Sequence, residues 1–266
     1  MSQRPVKRLE YATLIGVPAA IAIVWLAQVL EGAPTRALWQ PTAALVVFGG
    51  TLAAVLVSYP VALIRRTVMA VKDAFISRTE PVEAVLAGII QYSQVSRRKG
   101  LIALESEIDR AVDPFLRIAL GLAVDGTNAK IARQILEVES DARREFDEGP
   151  ADVLETAAGY TPTLGILGAV LGLIHVMQSL SDPSKLGSGI AVAFVATVYG
   201  VATANLLLLP LATKLRGSAR RSAINRELII EGITAVQEGL NPRVIEQKLR
   251  GFLIVTQQDR AGRRVA

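Results

Sequence analysis

The sequence predicts an all-α fold: a polytopic membrane protein with four transmembrane helices in two hairpins and a helical cytoplasmic domain. Composition is the first reason, since the 266 residues are 51% hydrophobic and their mean hydropathy is +0.40, more apolar than an ordinary soluble domain. Length is the second: about 20 mostly apolar residues cross a bilayer core, and four segments qualify. Third, no run of alternating apolar and polar residues favours strands.

The four apolar segments form two pairs separated by polar sequence. Their predicted bounds are Tyr11–Leu30, Thr42–Ile64, Thr156–Leu180 and Leu186–Leu211. We therefore divide the chain into four parts. They are an N-terminal flank with the first hairpin (1–64), a helical cytoplasmic domain (65–155), the second hairpin (156–211) and a cytoplasmic helical tail (212–266).

Positive charges are distributed unevenly around these segments. The short turns within the two hairpins hold only Arg36 and Lys185 of the 29 Lys and Arg residues. Cytoplasmic loops carry an excess of Lys and Arg, so we expect both termini and the middle segment to be cytoplasmic. The same distribution argues against nucleic acid as a partner, although the net charge is +5.

The polar parts predict helices and no catalytic centre. Asp113-Pro114 is a helix start signal, and "NAKIARQILEVESDARREFDEG" predicts a charged amphipathic helix that ends at Gly149-Pro150. The chain has no Walker A motif, dinucleotide-binding turn or nucleophile elbow, so we predict that it is not an enzyme. With no cysteine and one histidine, Cys- or His-based metal sites are excluded, and we expect no metal and no cofactor.

A dense charge patch lies in "SRRKGLIALESEID". The cations Arg97, Arg98 and Lys99 precede Gly100, and acidic residues beginning at Glu105 follow it. We favour pairing of these charges within the chain around Gly100, because exposed charge runs usually contribute little. The other interpretation is a bipolar surface presented to a charged partner.

Small residues line one face of the third and of the fourth apolar segment. On the third these residues are Gly165, Gly168 and Gly172, and on the fourth they are Ala193, Thr197, Gly200 and Ala204. Small residues let helix backbones approach closely in a membrane. Packing of the two helices on each other explains part of this pattern, and we infer that a further helix or a narrow wet path also lies against these faces.

The cores of the four segments contain no Asp, Glu, Lys or Arg. Ion relays in membranes normally use a carboxylate, so an ion-driven function needs an acceptor from a partner chain. We interpret His175, near the outer end of the third segment, as a polar group bonded to a neighbouring helix; the alternative is a direct role in ion transfer. Pro162 and Pro210 lie near the inner ends of the third and fourth segments, where each can kink or hinge a helix.

These stretches resemble the MotA family of flagellar motor stator proteins. The similarity is most specific in "YTPTLGILGAVLGLIHVMQ" and "AVAFVATVYGVATANLLLLPLATKLR", which resemble that family's second hairpin. "SRRKGLIALESEID" resembles its rotor-facing helix, and "ALWQPTAALVVFGGTLAAVLVSYP" is similar to its second span. TolQ and ExbB belong to the wider family but have one span before the cytoplasmic segment, so the two-span hairpin here favours the motor branch.

The resemblance implies partners and a mechanism. A homo-oligomer in the bacterial inner membrane, a pentamer, would surround two copies of a MotB-like single-span subunit that supplies the intramembrane Asp. Ion passage at that Asp would turn the ring against a FliG-like rotor switch protein.

The resemblance also assigns roles to residues. It implies a rotor interface at Arg97, Arg98 and Glu105, and mechanistic roles for Pro162 and Pro210. The residues expected to line the ion pathway or pack on the partner helix are Thr163, Gly168, Ala169, Gly172, Ala196, Thr197 and Gly200. Sodium-driven relatives carry threonine at the positions of Ala169 and Ala196, and fewer hydroxyls leave fewer oxygen ligands for sodium, so we predict proton coupling.

Other functions predict different features. Within the family, the alternative is an ExbB- or TolQ-like energiser of another envelope or defence complex. A self-contained transporter would need an intramembrane charge or a broken-helix site, and the sequence shows neither. A structural scaffold would tolerate bulky residues at Gly168 and Thr197.

Overall fold

The computed structural model describes residues 8–9, 11–32, 38–77, 81–178 and 183–265. These residues are almost entirely helical, which confirms the all-α prediction; the strands β1 (Arg8–Leu9) and β2 (Ile76–Ser77) form a two-stranded sheet. The helices are α1 (Tyr11–Leu30), α2 (Pro41–Ser58), α3 (Val61–Asp73), α4 (Val82–Lys99), α5 (Glu105–Ile108), α6 (Pro114–Val124), α7 (Ala129–Gln178), α8 (Pro183–Ala202), α9 (Leu209–Gln237) and α10 (Pro242–Val265). Arg36 and the predicted segment end at Leu180 lie outside the described residues.

The chain divides into two compact units. The apolar unit comprises Leu9–Ser77 and Glu148–Arg216, and the polar unit comprises Arg78–Asp147 and Gly217–Ala266 together with Met1–Arg8. Most of the predicted middle segment (78–147) and most of the predicted tail (217–266) therefore belong to one unit, while 65–77, 148–155 and 212–216 belong to the apolar unit.

Helices of membrane-spanning length and composition confirm a membrane protein. Among the described residues three helical stretches qualify: Pro41–Ser58, Ala129–Gln178 and Gly189–Gln237. The first predicted segment is a helix with the predicted bounds, Tyr11–Leu30, but it is not one of these three stretches. The total of four spans therefore stays a prediction.

The second apolar segment is shorter than predicted. The prediction of Thr42–Ile64 is wrong at its end, because α2 stops at Ser58 and Tyr59 is extended, with φ −136° and ψ 148°. Proline disfavours helical backbone in the residue before it, and Pro60 follows directly. A new amphipathic helix, α3, then starts at Val61.

The prediction that a helix ends at Gly149-Pro150 is also wrong. The 50-residue helix α7 continues through Pro150 and Pro162. Tertiary packing outweighs the proline signal here, because α3 packs closely on α7 at Gly149. A Cβ atom added at Gly149 would lie only 3.1 Å from Leu63 Cδ1 of α3. The next turn of α7 packs into a hydrophobic cluster. Its buried residues are Ala151, Leu154, Ala212 and Leu215.

The polar unit has a conventional core of large side chains. Phe115, Leu120, Ile89 and other fully buried residues come from α4, α6, α9 and α10. The predicted start of α6 is confirmed, since Asp113 Oδ1 accepts a hydrogen bond from the Phe115 backbone N–H at 2.8 Å, as an N-cap residue does. The tail helix α10 packs on α4, so the tail completes this core.

An ion-pair network connects three helices of the polar unit. Glu231 of α9 pairs with Arg133 of α7 and with Lys248 of α10, the latter at 2.6 Å. Burial alone would raise the pKa of Glu231, but the hydrogen bonds and charges of Lys248 and Arg133 outweigh burial and hold this pKa below its ordinary value.

Candidate functional site

The third and fourth predicted spans, in α7 and α8, touch backbone to backbone. A Cβ atom at Gly165 would lie 2.9 Å from the Ala196 carbonyl oxygen, and one at Gly200 would lie 2.9 Å from the Thr161 carbonyl oxygen. A Cβ atom at Gly172 would lie 2.9 Å from the Ala193 backbone nitrogen. No side chain fits at these positions, so glycine is required for the two helices to approach this closely.

This contact accounts for the small-residue faces within one chain. Gly168 packs on Ala196: a Cβ atom added at Gly168 would lie 2.8 Å from the Ala196 Cβ atom. Ala196 is fully buried. Within this chain the four residues Gly168, Gly172, Ala196 and Gly200 are already buried, and the expectation that a further helix lies against these faces stays a prediction. The chain's own hairpin covers them.

The exposed residues of the predicted pathway are the threonines. Thr163 and Thr197 are exposed, and Ala169 is half-buried. The Thr163 hydroxyl donates to the Tyr160 carbonyl at 2.7 Å, and the Thr197 hydroxyl donates to the Ala193 carbonyl at 3.3 Å. Each hydroxyl proton is thus used by its own helix, and the oxygen lone pairs remain available as acceptors on the exposed surface.

A pair of threonine hydroxyls, one buried and one half-buried, escaped the sequence analysis. Thr161 is fully buried, and its hydroxyl donates to the Ala157 carbonyl. Thr51 of α2 places its hydroxyl oxygen 3.5 Å from that of Thr161. Two threonines on separate helices give no spacing signal, so only the fold reveals the pair. It adds a polar contact beside Pro162.

The two prolines lie inside continuous helical stretches. Pro162 packs beside Gly200, where a Cβ atom would lie 3.2 Å from the Pro162 Cα. Pro210 follows a π-helical turn, Thr203–Leu208. A proline ring clashes with the carbonyl four residues earlier in an α-helix, and for Pro210 that residue is Leu206, which lies within the π-helical turn.

The charge patch is open to solvent. Arg97, Arg98 and Glu105 are exposed, and the ion pairs of the described residues do not include them, whereas Glu107 pairs with Arg110 at 2.9 Å. Gly100, with φ +82°, ends α4 and separates the basic cluster from the acidic one. The favoured interpretation of pairing around Gly100 is therefore wrong for these three residues.

A second charged cluster lies beside the end of the predicted spans. Arg216 pairs with Asp152 at 2.7 Å and with Glu155. The hydrogen bond that Arg216 donates to Asp152, followed by the one it donates to Glu155, raises the pKa of Arg216. The pairs join the helical segments that follow and precede the second hairpin.

Comparison with known proteins gives the class. Residues 107–228 match the MotA/TolQ/ExbB proton channel family, and the chain belongs to that family. It is 35% identical to motility protein A of Bacillus subtilis over 92% of this chain and 91% of that protein. Membership of a proton channel family also confirms the prediction that the chain is not an enzyme.

Solved structures agree with this assignment. The chain is similar to one in the structure of the flagellar MotAB stator complex from Bacillus subtilis, with a TM-score of 0.84, 34% identity and coverage of 93% of this chain and 97% of that one. It is also similar to one in the structure of C. jejuni MotAB, with a TM-score of 0.85, 27% identity and coverage of 92% and 96%.

Proposed function

We propose that this chain is the ion-conducting subunit of a bacterial flagellar stator, which couples proton flow to torque on the flagellar rotor. The observation that carries the proposal is the similarity to motility protein A, which extends along 92% of the chain. The absence of Asp, Glu, Lys and Arg from the predicted spans supports it, because proton transfer then requires a carboxylate from another chain.

The partner is a MotB-like single-span subunit that supplies the aspartate. Stator complexes are the assemblies named for the similar structures, which supports a partner and an oligomer, here a pentamer. The exposed Thr163 and Thr197 together with Ala169 are the residues of this chain that face the partner helix and the ion. The contact between α7 and α8 supports these exposed residues, and it is made by Gly168, Gly172, Ala196 and Gly200.

The rotor contact is made by the exposed charge patch. Arg97 and Arg98 at the end of α4, and Glu105 at the start of α5, have no competing intrachain ion pairs among the described residues. Exposed charges of both signs steer and orient a complementary partner, and a FliG-like rotor protein is that partner. Pro162 and Pro210 are the positions at which helix geometry changes when an ion passes.

The topology follows from the charge distribution. Residues 1–64 and 156–211 hold the two hairpins of a four-span protein in the lipid bilayer of the inner membrane, while 65–155, 212–266 and both termini are cytoplasmic. Ala169 and Ala196 offer no hydroxyl ligands for sodium, which supports proton coupling. Rotation that follows sodium concentration at constant proton-motive force would contradict this part of the proposal.

The test is motility in cells that lack only this chain. Deletion is expected to leave flagella assembled but not rotating, and the wild-type chain should restore rotation. Arg97→Glu should reduce torque strongly, whereas Lys130→Glu, at another exposed cation, on α7, serves as the matched control. Normal swimming of the deletion strain, in a cell with no other stator genes, would refute the proposal.

A further inference from the structure

A polar amide is exposed on the fourth predicted span. Asn205 is exposed, and its surroundings on the same helix surface are apolar: Val201, Leu206 and Leu209 are 48%, 39% and 39% exposed. Exposure to lipid would leave the amide's hydrogen-bonding groups unsatisfied, which is strongly unfavourable in a bilayer core. The exposed side of Asn205 therefore faces protein or water in the assembled complex.

The backbone around Asn205 is irregular. Asn205 lies in the π-helical turn Thr203–Leu208, and π-turns inside α-helices occur frequently at functional sites. Its Nδ2 group donates to the Val201 carbonyl at 2.9 Å. One bond fixes the amide, and a second N–H and the Oδ1 lone pairs remain for other groups.

Asn205 follows Thr197 along one side of the helix. The residues Thr197, Val201 and Asn205 are spaced i, i+4 and i+8, a row in which side chains stack on successive turns. At about 1.5 Å per residue, Asn205 lies roughly 12 Å further along the helix axis than Thr197. In the proposed topology this direction leads toward the cytoplasm.

We propose that Asn205 is a positioning residue for the cytoplasmic half of the ion path, an inference that rests on the proposed function. Its Oδ1 accepts, and its second N–H donates, hydrogen bonds with water between this helix and the partner helix. That water takes up the proton released by the partner's carboxyl group and passes it on toward the cytoplasm. The amide itself keeps its protons, because it only orients the water.

The test compares two substitutions of nearly equal shape. In cells that lack the chain, Asn205→Thr and Asn205→Val are introduced, and the torque of tethered cells is measured together with copurification of the single-span partner. Thr keeps a hydroxyl for water whereas Val has a methyl group there. We expect Asn205→Thr to stay near wild-type torque and Asn205→Val to lose about tenfold or more, because the valine methyl group leaves the water without a hydrogen-bond partner. Leu206→Ala is the control.

Each other outcome overturns the inference. Wild-type torque in Asn205→Val would remove Asn205 from the path, and equal losses in both variants would assign it a packing role. Loss of the partner from Asn205→Val complexes would make Asn205 a helix-to-helix contact instead. If the wild-type chain fails to restore rotation, the proposed function fails first and the inference falls with it.

Discussion

The apolar and polar units are stabilised by opposite kinds of contact. In the apolar unit, α7 and α8 meet through glycine and alanine, with backbone atoms in contact. In the polar unit, α4, α6, α9 and α10 bury large side chains such as Phe115 and Ile229. The difference follows from the solvent: in water, burial of large apolar groups drives packing, whereas lipid offers no such gain and close van der Waals contact takes its place.

The largest effect is expected from filling the glycine contact. In Gly200→Leu the new Cβ atom alone would lie 2.9 Å from the Thr161 carbonyl oxygen. This oxygen belongs to the backbone of α7 and cannot move aside as the end of a side chain can. We expect a destabilisation of more than about 3 kcal/mol and loss of assembled complex, measured by size-exclusion chromatography in detergent.

The matched control for Gly200→Leu is Gly159→Leu. Gly159 lies on α7 with open space where a Cβ atom would be, so this variant should assemble normally. Normal assembly of Gly200→Leu would show that the close contact is dispensable, and the contrast between the units would fail.

In the polar unit, removing a large side chain should be the damaging change. Phe115 is 1% exposed, and Phe115→Ala is expected to cost about 3–5 kcal/mol by leaving a cavity. Hydrogen exchange of the α6 and α9 amides in the full chain reports the loss. Ile118→Ala, on the same helix but 37% exposed, should change exchange much less, and equal effects of the two would contradict a side-chain-filled core.

A smaller effect is expected from the network around Glu231. The pKa of this carboxyl in the folded protein lies below its ordinary value. Its contribution to the free energy of unfolding is therefore fully present above the ordinary carboxyl pKa, and it is lost as the pH falls through the pKa of the folded state. Glu231→Gln should therefore lower stability at neutral pH and flatten its decline in acid. Thermal unfolding between neutral pH and about pH 3 tests this, since an unchanged acid slope would exclude Glu231 as its source.

The smallest effect should come from the start of α6. Asp113→Ala removes the N-cap hydrogen bond to the Phe115 N–H and is expected to cost about 1 kcal/mol, whereas Asp113→Asn should retain most of it. Amide exchange in the first turn of α6 measures the difference. Equal exchange in the two variants would show that capping contributes nothing here.

Local signals in the sequence predicted some features well and tertiary contacts overruled others. The bounds of α1 and the Asp113 cap depend on neighbouring residues alone, and both are confirmed. Pro150 was interpreted as a stop although α7 passes through it, because the packing of α3 on Gly149 is a long-range contact. The small-residue faces were recognised, but the sequence could not tell whether the chain itself or another chain covers them.

The seam between α7 and α8 also limits how this chain can evolve. Position 165 lies against the Cα atom of Gly200, and position 200 lies against that of Gly165, at 3.2 and 3.1 Å from the added Cβ atoms. In an ordinary core, a neighbour that becomes smaller can compensate a larger residue. Here the nearest neighbours are backbone atoms, which no substitution makes smaller, so no second-site reversion within the seam can rescue a larger residue at either position.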